Sequence, residues 1–458
     1  MANGSAEAVI GERDYRIPQR IERLPMTSVQ RWISLVIVIA VFFDAVDMGA
    51  MSYLLPSLRD YFGLTAATAG LLSSMSMAGM LVGSFLAGRL ADKMGRKALL
   101  QYSMIIWGLG GILCALSWSV ASLIVFRFLI GLGLGAEYPV ANAMISEFLP
   151  TKVRGRWLTV MEGLAPIGVI FAGLLAWIFV PIIGWRWVFV FEAVPAIWIF
   201  FVRRNLPESP RWLESVGREE EAHAIAAELE HKVQKVTGSE LPPIPEVTYV
   251  SQKGIRAKFG DLWVGRYVKR TVGMAIVWPL ALLGYWGIQS WITALLASSG
   301  YTIQKSMAYA LLIQLGGIPG FLVTTYLIDK VGRKATLIIG LLGSAVMAYL
   351  YGNAPNLTLL IVFGLLLQYF FWTLWPALYA FTPEVYPTRL RATGTGFVMS
   401  MGRLGAILGP YVAGLILGKD YVQGPVFIMA LVAFVIAALA VLLLVPETKG
   451  KVLEEVAA

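Results

Sequence analysis

Cysteine, histidine and charged side chains are all scarce in this chain of 458 residues. Cys114 is the single cysteine, which excludes an intrachain disulfide. The two histidines, His223 and His231, lie in one hydrophilic segment without a recognisable metal-binding pattern, so we predict neither a metal site nor a cofactor. Charged residues make up 14% of the chain and hydrophobic residues 58%, proportions that are unusual for a soluble globular protein.

Nucleotide-binding and catalytic patterns are also missing. The sequence contains no GxxxxGK[ST] motif, which excludes an ATP-driven phosphate-binding loop on this chain. Gly131, Gly133 and Gly135 occur in the run GLGLGAE, but no strand precedes them, so we interpret them as sites of close helix packing. No pairing of a nucleophile with a base is visible, and we predict that the protein is not an enzyme.

Long apolar runs, by contrast, are abundant. Each has about 20 residues, enough to cross a hydrocarbon layer of roughly 30 Å as a helix, whereas barrel strands would be shorter and would alternate. The sequence therefore predicts an all-α membrane protein with twelve transmembrane helices. The predicted spans cover residues 33–56, 65–88, 98–117, 121–146, 157–180, 186–203, 271–297, 306–328, 335–352, 358–380, 393–418 and 422–445.

Basic residues are distributed unevenly between the two sides of this predicted bundle. The side that holds both termini carries 31 of the 37 basic residues, and loops on the other side carry four. This bias follows the positive-inside rule, so we expect a multi-pass protein of the cell inner (plasma) membrane with both termini cytoplasmic. The net charge of +9 thus reflects topology and anionic lipid, and needs no nucleic-acid partner. The first 32 residues carry no cleavage signal, so we expect no removed signal peptide.

The second half of the chain repeats motifs of the first. GRLADKMGRKALL at 88–100 returns as YLIDKVGRKATLI at 326–338, and SEFLPTKVRGR at 146–156 returns as PEVYPTRLRAT at 383–393. Pro139 and Pro376 are 237 residues apart, as are the aspartates of the first motif pair. We predict two pseudo-symmetric six-helix bundles, 1–203 and 271–458, joined by a cytoplasmic segment, 204–270, with a surface helix.

Several motifs resemble those of the major facilitator superfamily along nearly the whole chain. GRLADKMGRK is similar to that superfamily's signature between helices 2 and 3, and RFLIGLGLG, PESPRW and PETKG resemble its sugar-porter, organic-ion and synaptic-vesicle-protein branch. GYWGIQSW, GLGLGAEYPVA and FTPEVYPTRLRATG look most like the bacterial niacin transporters of that branch. The resemblance implies alternating access around a substrate site at the membrane midplane between the bundles.

Charged residues recur at the cytoplasmic helix ends of both halves, where opposite charges can form networks between neighbouring helices. We predict that these networks hold the cytoplasmic ends together in the outward-open state and break when the protein opens inward. The alternative is that they only anchor topology. The residues are Asp92, Arg96, Glu147, Arg154, Asp329, Arg333, Glu384 and Arg391.

Ionisable residues inside spans point to the transport mechanism, because each one costs roughly 2.5–3.5 kcal/mol at the membrane centre. Asp44 and Asp47 share one face of the first span, and Arg127 lies in the fourth. Neighbouring carboxylates resist double ionisation and an arginine favours it, so a change in spacing can move a proton. DMGAMSYLLP resembles the helix-1 segment of proton-coupled sugar porters, and DAVDMGA that of aromatic-acid:proton symporters. We predict that Asp47, Asp44 and Arg127 couple transport to protons.

A second arginine, Arg403, is the predicted contact for substrate. It resembles the helix-11 arginine of organic-anion transporters, and a guanidinium suits a carboxylate bidentately. Alternatively, Arg403 only neutralises the charge of Asp44 or Glu137. For Glu162 and Glu192, a functional role and an interfacial or structural pairing are equally open. The other predicted substrate contacts, which could instead serve packing, are Glu137, Tyr285, Trp286, Gln289, Gln314, Gln368, Trp372 and Trp375, with Tyr379 beside them.

These observations favour a secondary transporter for the proton-coupled uptake of a small aromatic carboxylate such as nicotinate. Sugar porters carry two glutamines on helix 7, and Gln289 stands alone here, which argues against a hexose. Three alternatives stay open: an organic cation recognised by Glu137 or Asp44, a sugar or other metabolite, and an uncoupled facilitator or sensor. We expect a monomer whose partners are the substrate, protons and the lipid bilayer.

Overall fold

The architecture is helical throughout the described residues, which contain no β-strand. The computed structural model describes residues 17–244, 259–386, 388–418 and 423–449. Within them, 12 helices are long and apolar enough to cross a membrane, which confirms the predicted fold class. Numbered in chain order as spans 1 to 12, they are Ser28–Phe62, Ala66–Met94, Arg96–Ala115, Val120–Phe148, Thr151–Ile183, Trp185–Val202, Tyr267–Gln289, Ile303–Lys330, Arg333–Gly352, Leu357–Glu384, Thr393–Leu417 and Gly424–Leu444.

Short connections make consecutive spans antiparallel. Residues 63–65 link spans 1 and 2, and Gly95 alone links spans 2 and 3. Gly63 lies at φ 62° and Gly95 at φ 96°, conformations that glycine adopts far more readily than other residues. We call the side of the bundle on which span 1 begins the near side, and the opposite side the far side. The segment between spans 6 and 7 lies on the near side.

Several spans are interrupted, and the hydrophobic pattern gives no sign of these breaks. Span 5 is broken at Leu164, and span 8 consists of Ile303–Gln314 and Gly317–Lys330. Span 7 ends at Gln289, and a separate helix, Ile292–Ser298, continues in its place. A break frees backbone groups that an intact helix would pair, so these positions can bond to neighbouring helices or to a ligand.

Three short helices outside the membrane spans form a cap on the near side of the first half. An ion-pair cluster ties the N-terminal helix to the connecting segment: Arg20 contacts Glu230 at 2.5 Å, and Arg23 contacts the same carboxylate at 2.8 Å. Arg20 and Glu230 are buried and Arg23 is half-buried, so the cluster holds the cap as one unit with the start of span 1. The helices are Ile17–Glu22, Pro210–Ser215 and Glu219–Thr237.

The two halves contact each other closely on the far side. The Ser52 hydroxyl of span 1 donates a hydrogen bond of 2.6 Å to the backbone carbonyl oxygen of Gln289, at the break of span 7. A Cβ atom added at Gly70 of span 2 would lie 2.5 Å from the carbonyl oxygen of Pro410 in span 11. Glycine therefore permits backbone contact between spans 2 and 11, and this packing closes the far side.

Candidate functional site

An ion pair between spans 1 and 4 lies inside the first half. A guanidinium nitrogen of Arg127, Nη1, is 2.7 Å from Oδ1 of Asp47. The Arg127 and Asp47 side chains are only 2% and 5% exposed. The Arg127 guanidinium also lies 5.9 Å from the ring centroid of Phe189 in span 6. The structure thus brings together two of the three residues predicted to couple transport to protons.

Asp44, the third of these residues, lies one helical turn nearer to the near side and is equally buried. Neither of its carboxylate oxygens has a hydrogen-bond partner among the described residues. Burying an ionised carboxylate without a partner costs several kcal/mol. Asp44 therefore needs a proton, water or a bound ligand, whereas Asp47 already has a cation.

Glu137 and Glu192 add two more carboxyl groups to the interior of the first half. Oε2 of Glu137 accepts a hydrogen bond of 2.7 Å from the indole N–H of Trp107 in span 3, and its Oε1 has no partner in the described chain. Both oxygens of Glu192 in span 6 also lack a partner there. The structure thus places Glu137, a predicted substrate contact, against span 3. The sequence pattern did not predict the role of Trp107.

Arg403 reaches toward the first half from span 11. The residue is half-buried, and within the described part of the chain no hydrogen bond or ion pair of its side chain is found. Arg403 lies within electrostatic range of Asp44, of Glu162 in span 5 and of Tyr379 in span 10. Arg403 is therefore a cation at the interface of the halves, close enough to influence Asp44 without being bonded to it.

Three glutamines form a hydrogen-bonded chain inside the second half. The Gln368 amide N–H donates to Oε1 of Gln289 at 2.7 Å, and the Gln289 amide N–H donates to Oε1 of Gln314 at 3.2 Å. At the two ends of the chain, Nε2 of Gln314 and Oε1 of Gln368 are buried without a partner among the described residues. The three glutamines thus leave one donor, on Gln314, and one acceptor, on Gln368, for a bound molecule.

Aromatic rings pack beside this glutamine chain. Tyr285 makes edge-on contacts with Trp286, Phe371 and Trp375, with ring centroids 5.0, 5.0 and 4.9 Å apart respectively. Trp372 is buried, and its indole N–H lacks a partner in the described chain. The Tyr285 cluster thus has a clear packing role, whereas Trp372 offers a free hydrogen-bond donor.

Comparing positions related by the internal repeat shows that the interiors of the two halves differ in charge. Shifting by the repeat offset of 237 residues replaces Asp47 by Gly284 and Arg127 by Gly364. The same shift relates Ser52 to Gln289, the two residues whose hydrogen bond joins the halves. The buried charges of spans 1 and 4 therefore have no counterpart in the second half, whose interior is lined by amides and rings.

On the near side, the predicted charge networks are present inside each half. In the first half, Arg96 lies 3.0 Å from Asp92 and 3.5 Å from Glu147. Glu208, beyond span 6, accepts hydrogen bonds of 2.9 and 3.1 Å from the backbone N–H groups of Arg96 and Lys97. This carboxylate caps the first turn of span 3, where the helix dipole favours a negative charge.

The second half repeats this arrangement. Arg333 lies 3.3 Å from Asp329 and 3.2 Å from Glu384, and Glu447 accepts bonds of 3.2 Å from the backbone N–H groups of Arg333 and Lys334. Burial opposes ionisation of Glu447, but four backbone N–H groups hold its pKa below the ordinary value for glutamate. The sequence pattern alone does not reveal the capping role of these two carboxylates, although both lie in similar motifs, PESPRW and PETKG.

The two remaining arginines of the networks bind backbone carbonyl oxygens. Arg154 donates to the carbonyl of Leu149 at 3.3 Å, and Arg391 donates to that of Pro383 at 3.1 Å. Each of the near-side ion pairs described above joins residues of the same half. The networks thus stiffen the near-side end of each bundle, while the contacts between halves described above lie on the far side.

The glycines of span 4 pack as the sequence analysis predicts. A Cβ atom added at Gly131 would lie 2.0 Å from the carbonyl oxygen of Ser76 in span 2, and one at Gly135 would lie 2.3 Å from that of Met80. Close approach of spans 2 and 4 therefore requires glycine at these positions. Among the described residues, no group of three or more histidine, cysteine, aspartate or glutamate side chains could hold a metal ion.

Comparison with known proteins accords with this architecture. The family model for "Sugar (and other) transporter" matches residues 33–458. The chain is 34% identical to the niacin transporter NiaP of Acinetobacter baylyi, over 95% of this chain and 98% of that protein. It is 29% identical to the 4-hydroxybenzoate transporter PcaK of the same organism, over 92% of each.

A solved structure has the same fold. The inward open conformation of the xylose transporter XylE from E. coli aligns with a TM-score of 0.73 and 19% identity, covering 93% of this chain and 99% of XylE. The family comprises transporters rather than enzymes. The chain therefore belongs to the sugar (and other) transporter family of the major facilitator superfamily and is a multi-pass membrane transporter.

Proposed function

We propose that the protein takes up nicotinate, or a closely similar small aromatic carboxylate, together with protons. The observation that carries this proposal is Arg403, a half-buried cation at the interface of the halves whose side chain has no ion pair in the described chain. Such a guanidinium can bind a carboxylate through two parallel hydrogen bonds. The printed names of the relatives, which transport niacin and 4-hydroxybenzoate, support an aromatic acid as the cargo.

The second half supplies groups for the ring of such a substrate. Nε2 of Gln314, Oε1 of Gln368 and the indole N–H of Trp372 are buried hydrogen-bonding groups without a partner among the described residues. An unsatisfied buried polar group costs about 1–3 kcal/mol, so a ligand that pairs with it gains affinity. In this proposal Arg403 holds the carboxylate, and the amides and indole contact the ring.

Proton coupling is assigned to Asp47, with Asp44 beside it and Arg127 as the controlling cation. While Arg127 remains 2.7 Å from Asp47, the ionised carboxylate is stabilised. A helix movement that separates the pair would leave a buried carboxylate that must take up a proton. Each proton that enters also draws on the membrane potential, about 2.3 kcal/mol per 100 mV.

The distribution of basic residues indicates to which side of the membrane this structure opens. If the near side is cytoplasmic, as the positive-inside rule predicts, close packing of spans 2 and 11 on the far side corresponds to an inward-facing state. Alternating access then requires the near-side ends to approach each other. The networks around Arg96 and Arg333 lie at those ends and are intact while the far side is closed, so we assign them a gating role in which they shape the ends that meet rather than break on inward opening.

Removing Arg403 should discriminate between a charged and a neutral ligand. Arg403→Ala should weaken nicotinate binding about 10- to 100-fold, because charge-assisted hydrogen bonds contribute roughly 1.5–3 kcal/mol. Nicotinamide, the neutral amide, should lose less than about threefold in affinity. Arg403→Lys should restore nicotinate binding only in part, since an ammonium lacks the planar fork. Isothermal titration calorimetry measures the affinities of the unmodified protein and both variants for the two ligands. An equal loss of affinity for nicotinate and nicotinamide would assign Arg403 a structural role.

Replacing Asp47 should separate binding from energy coupling. Asp47→Asn mimics the protonated carboxyl, so it should keep nicotinate binding and counterflow but lose accumulation driven by an imposed pH gradient in proteoliposomes. Asp60→Asn, an exposed aspartate near the far-side end of span 1, serves as the matched control and should accumulate nicotinate like the unmodified protein. Continued accumulation by Asp47→Asn would exclude Asp47 as the coupling group.

The gating role can be tested by distances across the near side. Spin labels at Met94 and Val331, which are each 42% exposed and related by the repeat, report the separation of the two halves. Arg96→Gln should reduce the population with a short label distance and slow transport, because the near-side end of the first half loses the ion pairs that shape it for contact with the second half. Arg89→Gln, also on the near side, should change neither. Unchanged label distances and transport rates in Arg96→Gln would contradict a gating role and favour the alternative that the network only anchors the membrane topology.

A further inference from the structure

Three buried hydrogen-bonding groups lie beside the break of span 8. The first part of the span ends at Gln314 and the second part begins at Gly317. A Cβ atom added at Gly317 would lie 2.7 Å from Nε1 of Trp372, so the N–H edge of this indole lies against the start of the second part. Gln368 lies one helical turn from Trp372 in span 10. The indole N–H and the two ends of the glutamine chain therefore form one polar cluster.

The glutamine chain does not by itself determine which kind of ligand group it binds. Its two bonds, of 3.2 and 2.7 Å, join Gln289 to Gln314 and to Gln368. Each amide has an oxygen that accepts and a nitrogen that donates. Turning all three amides over reverses both bonds and exchanges the free donor and the free acceptor at the two ends. The chain can therefore meet either a donor or an acceptor on the ligand.

Trp372 differs from the glutamines because an indole nitrogen can only donate. The residue is 5% exposed, and its N–H has no partner among the described residues. A buried donor that stays unpaired destabilises the complex that contains it, so a ligand that supplies an acceptor is favoured. Contact with Gly317 holds the indole against span 8. Trp372 thus presents a donor whose polarity cannot be reversed.

A ring nitrogen with a free lone pair is the group that complements this donor. We propose that Trp372 determines the ring specificity of the substrate site, by donating a hydrogen bond to an acceptor in the ring of the aromatic acid, which in nicotinate is the pyridine nitrogen. The inference rests on the proposed function, because it needs an aromatic carboxylate in this site. It assigns selection of the ring to Trp372, whereas Arg403 binds the carboxylate whatever the ring.

Comparing nicotinate with benzoate isolates this contact. The two anions have the same charge and nearly the same shape, and they differ where nicotinate has a nitrogen and benzoate has a C–H group. Benzoate would leave the indole N–H buried and unpaired, so the unmodified protein should bind nicotinate at least about fivefold more tightly. Isonicotinate has its nitrogen at the next ring position. It should bind less tightly than nicotinate, because Gly317 holds the donor in one place.

Trp372→Phe removes the N–H group and keeps an aromatic ring. Isothermal titration calorimetry of the full-length protein in detergent gives the Kd of each acid. In this variant the ratio of the benzoate Kd to the nicotinate Kd should fall below about twofold, through weaker binding of nicotinate. Saturable binding of benzoate also shows that the variant is folded. Trp278→Phe is the matched control, because the buried Trp278 indole donates to Oγ1 of Thr382 at 3.0 Å. It should keep the ratio of the unmodified protein.

Gly317→Ala tests the same contact without removing the N–H group. The added methyl group would lie where the N–H edge of the Trp372 indole now lies, so the donor must move. The preference for nicotinate over benzoate should therefore fall in this variant as well, and binding of benzoate should change less than binding of nicotinate.

The remaining outcomes separate this inference from the proposed function. An undiminished preference for nicotinate in Trp372→Phe, or an equal loss of both acids, would overturn the assignment to Trp372. A preference that is lost only in Gln314→Met would place the contact on the glutamine chain instead. Equal binding of nicotinate and benzoate by the unmodified protein would overturn the inference and leave the proposed function standing. Failure of the unmodified protein to bind either acid would overturn the proposed function.

Discussion

A carboxylate inside a bundle of apolar helices must find a cation, a proton, water or a ligand, and this requirement governs the first half of the molecule. Asp47 meets it through Arg127, at 2.7 Å. Asp44 and Glu192 have no bonded partner among the described residues, and Glu137 has one for a single oxygen only. The interior of the first half thus holds more carboxyl groups than cations, which suits a domain that binds and releases protons.

The two halves share their near-side ion-pair networks but differ in the residues of their interiors. Both halves keep the same near-side networks, built from an arginine, two acidic residues and a capping glutamate. The interiors have diverged: glycines occupy the positions of the second half that correspond to the ion-paired Asp47 and Arg127 by the repeat offset. The described interior of the first half thus holds buried charges, whereas that of the second half holds a hydrogen-bonded row of glutamines.

Much of this arrangement follows from the sequence. The repeat spacing predicts the networks of Arg96 and Arg333, and residue type and position predict the pair of Asp47 with Arg127. The sequence does not predict that Glu137 bonds to Trp107, because the rotation of span 4 depends on glycine contacts with span 2. It also gives no sign of the break after Gln289, since the apolar pattern continues through it. Helix breaks and side-chain partners depend on packing between spans that are distant in sequence.

The central claim is that a carboxylate and a proton cross the membrane together. Proteoliposomes with an internal pH-sensitive dye, no imposed pH gradient and a membrane potential clamped at zero test it most directly, with protein-free liposomes as the control for passive entry of the acid. External nicotinate should acidify the interior of the proteoliposomes at a rate proportional to its own uptake, and an uncoupler should abolish the pH change but not the uptake. Saturable, protein-dependent uptake of nicotinate without any acidification would contradict the account.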